Sequence, residues 1–150
     1  MATEDNEDEN WVQGQRLQVL VYLKENLAEF RSLGECPAWD VCPYFAIWAV
    51  ESVANPGSVG FWVFSGDVPT DVIKRDWKRA DDNPRSALAR LIQAWSAYLT
   101  NLEAGKNPPG ISFGNSDEGR RDMAELLQRR ISLLVDWRDD QSIWPPGCSL

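Results

Sequence analysis

Hydrophobic positions recur at three- and four-residue steps along three stretches of this chain. In one central segment they run continuously instead. The first periodic stretch covers about residues 13–33, with Leu17, Leu20, Leu23, Leu27 and Phe30 on one stripe and Gly34 placed as a left-handed C-terminal cap. A second opens at Asn83 as N-cap and Pro84 as first helical residue, carries Leu88, Leu91, Ile92, Trp95, Tyr98, Leu99 and Leu102, and closes at Gly105. The third follows Ser116, with Asp117 and Glu118 favourably placed against the helix dipole and a stripe of Met123, Leu126, Leu127, Ile131, Leu134 and Trp137.

Between the first two helices, Tyr44 to Asp71 (YFAIWAVESVANPGSVGFWVFSGDVPTD) predicts a β-hairpin: two apolar, aromatic-rich runs around an Asn55-Pro56-Gly57-Ser58 turn. Both runs are apolar at alternate and intervening positions. A half-exposed sheet would show polar residues at every second one, so the hairpin reads as a layer covered on both faces. Val72-Ile73 to Trp77 reads as an extra strand, since a lone hairpin is marginal in water, or else as a short helix started by Thr70 and Asp71. The predicted class is α+β: three amphipathic helices packed around a central, doubly covered antiparallel β-hairpin, extensible to a small sheet.

Charge alters this picture only at the start. Glu4, Asp5, Glu7, Asp8 and Glu9 account for five units of the net charge of −8, leaving −3 on the remaining residues. Residues 1–10 therefore read as a disordered acidic tail and residues 11–150 as a single globular domain. The acidic balance disfavours nucleic-acid binding, which rests on Lys and Arg at phosphates. No apolar run reaches the length of a membrane span, the N-terminus is unlike a secretory signal, and three cysteines are too few for a disulfide framework. A cytoplasmic protein is expected.

The chain has no histidine, so imidazole acid–base catalysis, Ser-His-Asp triads and ordinary His-containing zinc sites are excluded. The cysteine spacing and the glycine-bearing loop at Gly110, Gly114 and Gly119 fit neither a zinc site nor a phosphate-binding loop, so no cofactor and no metal are predicted. Carboxylates remain. Asp67 and Asp71 flank Val68-Pro69-Thr70 directly after the second strand. They read either as turn and cap residues, Thr70 sharing the capping role, or as a pair for a divalent cation or acid–base work. Glu51 interrupts an apolar strand, opposite Trp62 in the assumed register, and is read as ion-paired to an arginine from a helix or exposed near the hairpin tip, or else as a charged anchor in a pocket. Trp39, Trp77 and Trp144 lie in polar or irregular context, where an exposed subset would suit a protein interface.

The words YFAIWAVES, NPGSVGFWVFSGDVPTD, NPRSALARLIQAW and LLVDWRDDQSIW resemble a family of small bacterial proteins whose shared domain has no assigned function, across about residues 36–144. GFWVFSGDVPTD, a WxxSGDxPTD motif, is the most specific part. Where members often carry a tyrosine after PTD, Val72 stands here. The resemblance implies the fold and a bacterial cytosolic setting, and brings no activity.

Two functions compete. The first is a non-catalytic binding protein, of the kind in which an immunity protein or inhibitor neutralises a toxin; an acidic protein gains association rate against a basic partner by steering. The second is a small enzyme or ligand-binding domain using Glu51, Asp67 and Asp71 at the hairpin mouth. The binding candidates are Glu51, Trp62, Asp67, Thr70 and Asp71, with self-association left open.

Overall fold

The computed structural model describes residues 3–27, 29–106 and 117–150. The Pro108-Pro109-Gly110 connection, Gly114 and the Ser116 helix start lie outside the described residues. The order is α1 (Thr3–Asn26), β1 (Trp39–Val41), β2 (Phe45–Glu51), β3 (Val59–Gly66), β4 (Asp71–Lys74), α2 (Pro84–Glu103), α3 (Asp117–Asp139) and a 3-10 turn at Gln141–Ile143. The class is α+β, with a four-stranded antiparallel sheet in the order β1-β2-β3-β4. The expected hairpin is its central pair. The candidate extra strand is β4, whereas β1, buried in a proline-marked connection, is unanticipated. The chain divides into two compact units, one up to Pro84 and one from Arg85.

In the first unit, α1 packs Val19 and Leu23 against Ala46, Trp48, Val50 and Val63, which share one sheet face. Phe45, Ile47 and Phe64 of the opposite face are fully buried as well. That double burial explains why the two central strands carry no alternation. Trp48 satisfies its buried indole by donating to Ser65 Oγ at 3.0 Å, the polar group the core needs there.

Several expectations are corrected. The first helix ends at Asn26 rather than Leu33, and Gly34 is not among the glycines with positive φ. Leu33 instead bridges Val50, and Glu51 N–H donates to Ser32 O at 3.0 Å, so this stretch is taken up alongside β2. Sheet hydrogen bonds there replace the helical ones. Apart from these corrections, α1 takes in the acidic stretch, its first residue being Thr3. Carboxylates in a first helical turn are favoured by the dipole, and the side chains at 6–10 are exposed. The register also differs: Trp62 pairs with Ala49 and Glu51 with Val59, with a bulge at Val50/Glu51. The reason is the tight tip, in which Ser52 N–H bonds to Ser58 O at 2.8 Å.

In the second unit, α2 begins at Pro84 as expected and buries Leu88, Leu91, Ile92 and Trp95. Its end is a Schellman cap: Gly105 at φ 75, Lys106 N–H bonded to Asn101 O and Gly105 N–H to Leu102 O. Trp144, one of the three tryptophans in polar or irregular context, belongs to the buried residues. It is 7% exposed and donates its indole N–H to Trp137 O at 2.8 Å. Buried Arg85 donates to Arg138 O at 2.8 Å and to Cys148 O at 3.3 Å, tying down the proline-rich terminus.

Candidate functional site

The candidate acids stand at opposite ends of the central strand pair. Glu51 pairs with Val59 where β3 begins, while Gly66, next to Asp67, pairs with Phe45 where it ends. Strands rise about 3.3 Å per residue, so the length of β3 separates them by roughly 20 Å. Glu51 forms an ion pair with Arg31 at 2.8 Å and accepts from Ser32 Oγ at 3.1 Å and Gly57 N–H at 3.3 Å. It clamps the stretch after α1 and the hairpin turn to β2. The arginine comes from this extended stretch rather than from a helix.

At the far end, Gly66 has φ 122, and a Cβ there would lie 2.4 Å from Tyr44 O. Only glycine lets the chain pass this close to β2, which places the following Asp67 N–H 2.8 Å from Tyr44 O. The Asp67 residue is exposed. Thr70 Oγ1 accepts from Gln18 Nε2 at 3.0 Å, fastening the loop to α1. Asp71 Oδ1 accepts from the N–H of Val72 at 2.8 Å. Arg75 N–H bonds back to Gly60 O, so by alternation the Val72 N–H points away from β3, off the sheet edge. Asp71 therefore covers an edge donor that would otherwise be free to pair with another strand. Among the described residues, no group of three or more His, Cys, Asp or Glu could hold a metal ion.

Trp62, the remaining candidate, is 4% exposed in the middle of β3. Its indole N–H donates to Asp82 Oδ2 at 2.9 Å, and the same oxygen accepts from Asp76 N–H at 3.0 Å. Trp62 is thus a core residue that fixes the loop after β4. Asp82 gave no sequence signal beyond preceding the Asn-Pro helix start.

What the structure does bring together lies at the hairpin tip. Gly60 packs so closely on Ser52 that a Cβ would come within 2.9 Å of its Cα. Beside this contact is a groove of about 340 Å³ lined by Val53, Phe61, Lys74, Arg75, Trp77 and Glu29, among others. The Arg75 guanidinium carbon lies 4.4 Å from the Trp77 ring centroid. Of the eight tryptophans, Trp77 is the one that is more than half exposed, at 54%. Trp39 and Trp144, grouped with it by sequence context, are buried. A second cavity, of about 430 Å³, lies between the end of α2 and the start of α3, beside Arg120, Arg121 and Glu125. We assign no site to it.

A separate acidic cluster raises pKa values. Cys42 Sγ donates to Asp8 Oδ1 at 3.4 Å. Desolvation first, then this bond and the charges of Asp8 and Asp40, push the thiol up to about 11. Desolvation also raises Asp40, against the lowering effect of its bond from the Cys42 backbone. The cluster resists ionisation, which is the reverse of what a nucleophilic thiol needs.

Residues 5–144 match the family described as domain of unknown function DUF4826. The chain belongs to that family. The match begins in α1, ahead of the stretch from about residue 36 that the sequence words suggest, so the DUF4826 unit includes the helix that packs on the sheet. No curated protein and no solved structure matches the chain.

Proposed function

We propose that this protein acts in the cytoplasm as a non-catalytic binding protein, in the manner of an immunity protein or inhibitor that neutralises a toxin by protein–protein contact. The observation that carries the reading is the tip groove, where Trp77 stands exposed over Arg75 beside the 47%-exposed Val53. Interface hot spots are enriched in Trp and Arg set in partly dry surroundings. The acidic first turns of α1 add a field that would speed encounter with a basic partner. The alternative of a carboxylate-based site loses support from the separation of Glu51 from Asp67 and Asp71.

Co-expression with the product of the neighbouring open reading frame tests this. A complex by size-exclusion chromatography and calorimetry is expected, with Trp77→Ala weakening it by about 2 kcal/mol or more, the threshold for a hot spot. A complex indifferent to Trp77→Ala, or turnover of a small molecule by the protein alone, would sink the reading.

A further inference from the structure

The chemistry of the tip groove narrows the kind of partner surface it can accept, an argument that rests on the protein-binding reading above. Arg75 Nε is out of reach of solvent and has no hydrogen-bond partner among the described residues. That covered atom is not the one a ligand meets; what Arg75 offers the groove it lines is the positive charge of its guanidinium. Trp77 lies over the guanidinium and holds the fork on one side, which pre-organises it for planar, two-pronged recognition of a carboxylate. Lys74 adds a second cation to the groove, while Glu29 at its rim offsets one of the two positive charges. The floor is apolar: Phe61, half-buried, with Val53 and Ala54.

These features select among anions. A phosphate dianion would meet the Glu29 carboxylate and gain nothing from Phe61 and Val53. A monoanionic carboxylate with an apolar neighbour satisfies both halves of the groove. The chain as a whole carries −8, so a strongly acidic partner would be repelled before docking. We infer that the groove receives a single acidic side chain of a partner protein, flanked by an aromatic or aliphatic residue, with the carboxylate on Arg75 and the apolar side chain between Phe61 and Trp77. A partner that is basic overall can present such a residue.

The test is a titration of the full-length, ¹⁵N-labelled protein with the blocked peptide acetyl-Gly-Asp-Phe-Gly-amide, its Asn counterpart, and inorganic phosphate. Saturable shifts of the Trp77 indole and Gly60 amide signals are expected with the Asp peptide. Binding should be about tenfold or more weaker with the Asn peptide, with phosphate, and in Arg75→Gln. Trp77→Ala, at an exposed position, should weaken the Asp peptide without altering the amide dispersion, and so serves if Arg75→Gln fails to fold. Equal binding of the Asn peptide, stronger shifts with phosphate, or no saturation with the Asp peptide would each overturn the inference. A partner complex lost in Trp77→Ala while the Asp peptide does not bind would refute the acidic occupant and leave the binding function standing. Peptide binding without any protein complex would do the opposite.

Discussion

Trp62 on β3 donates its indole N–H to Asp82 Oδ2 at 2.9 Å, joining the middle of the sheet to the loop that precedes α2. The same carboxylate oxygen holds Asp76 N–H. One acid thus satisfies a buried ring nitrogen and a loop amide at once.

Asp82→Ala should therefore cost about 1–3 kcal/mol, the usual penalty for a buried donor left unsatisfied. In a double-mutant cycle with Trp62→Phe, which removes the indole N–H, the two losses should be clearly non-additive in urea melts. Additive losses would mean that the bond contributes little.

Trp62→Ala should cost on the order of 3–5 kcal/mol by emptying an aromatic core site. Because Trp144 is also buried and bonded to Trp137 O, Trp144→Ala should fall in the same range of about 3–5 kcal/mol, despite its place beside two prolines. A cost below about 1 kcal/mol, typical of an exposed position, would show that the terminus is not packed.

The Cys42 thiol is pushed up to about 11 from 9.0. Its folded value lies above the unfolded one, so the neutral thiol's contribution to stability is fully present below about pH 9 and is lost as pH rises through about 11. In a variant carrying Cys36→Ser and Cys148→Ser, the pH midpoint of alkylation should lie near 11, and Asp8→Asn should lower it. Deleting residues 1–10 should lower it too, while leaving the thermal midpoint nearly unchanged, since the side chains at 6–10 are exposed. A midpoint near 9 in the parent would show that the acidic turn is not held against Cys42.

Asp71→Ala should uncover the Val72 N–H at the sheet edge and raise self-association in analytical ultracentrifugation, whereas Asp71→Asn, which can accept the same bond, should stay close to the parent. Asp67→Asn should be tolerated, since it keeps the backbone bond to Tyr44 O and a side-chain oxygen that can accept the same local hydrogen bonds. A stoichiometric divalent cation seen by calorimetry and lost in Asp67→Asn would reverse this assignment.

Local chemistry made much of the fold legible. Asn83-Pro84 and Gly105 bound α2 because cap and φ preferences act within a few residues, and Asn55-Pro56-Gly57-Ser58 makes a turn for the same reason. Continuous apolar character in β2 and β3 announced a strand pair buried on both faces, since burial of each face acts on alternate residues. Pairing between distant segments was not legible. The stretch around Leu33 keeps a helical rhythm yet leaves α1 to bridge Val50, and Trp39-Asp40-Val41 becomes a strand only because β2 offers it a free edge. The sites followed the same division. Glu51, Asp67 and Asp71 stood out as residue types, but the length of β3 between them was a matter of register. Arg75, Trp77 and Val53 looked unrelated in sequence, and it is the folded chain that sets them around one groove beside the Gly60–Ser52 contact. Caps and turns are decided by neighbours in the chain; a groove is decided by which distant residues the packed backbone sets side by side.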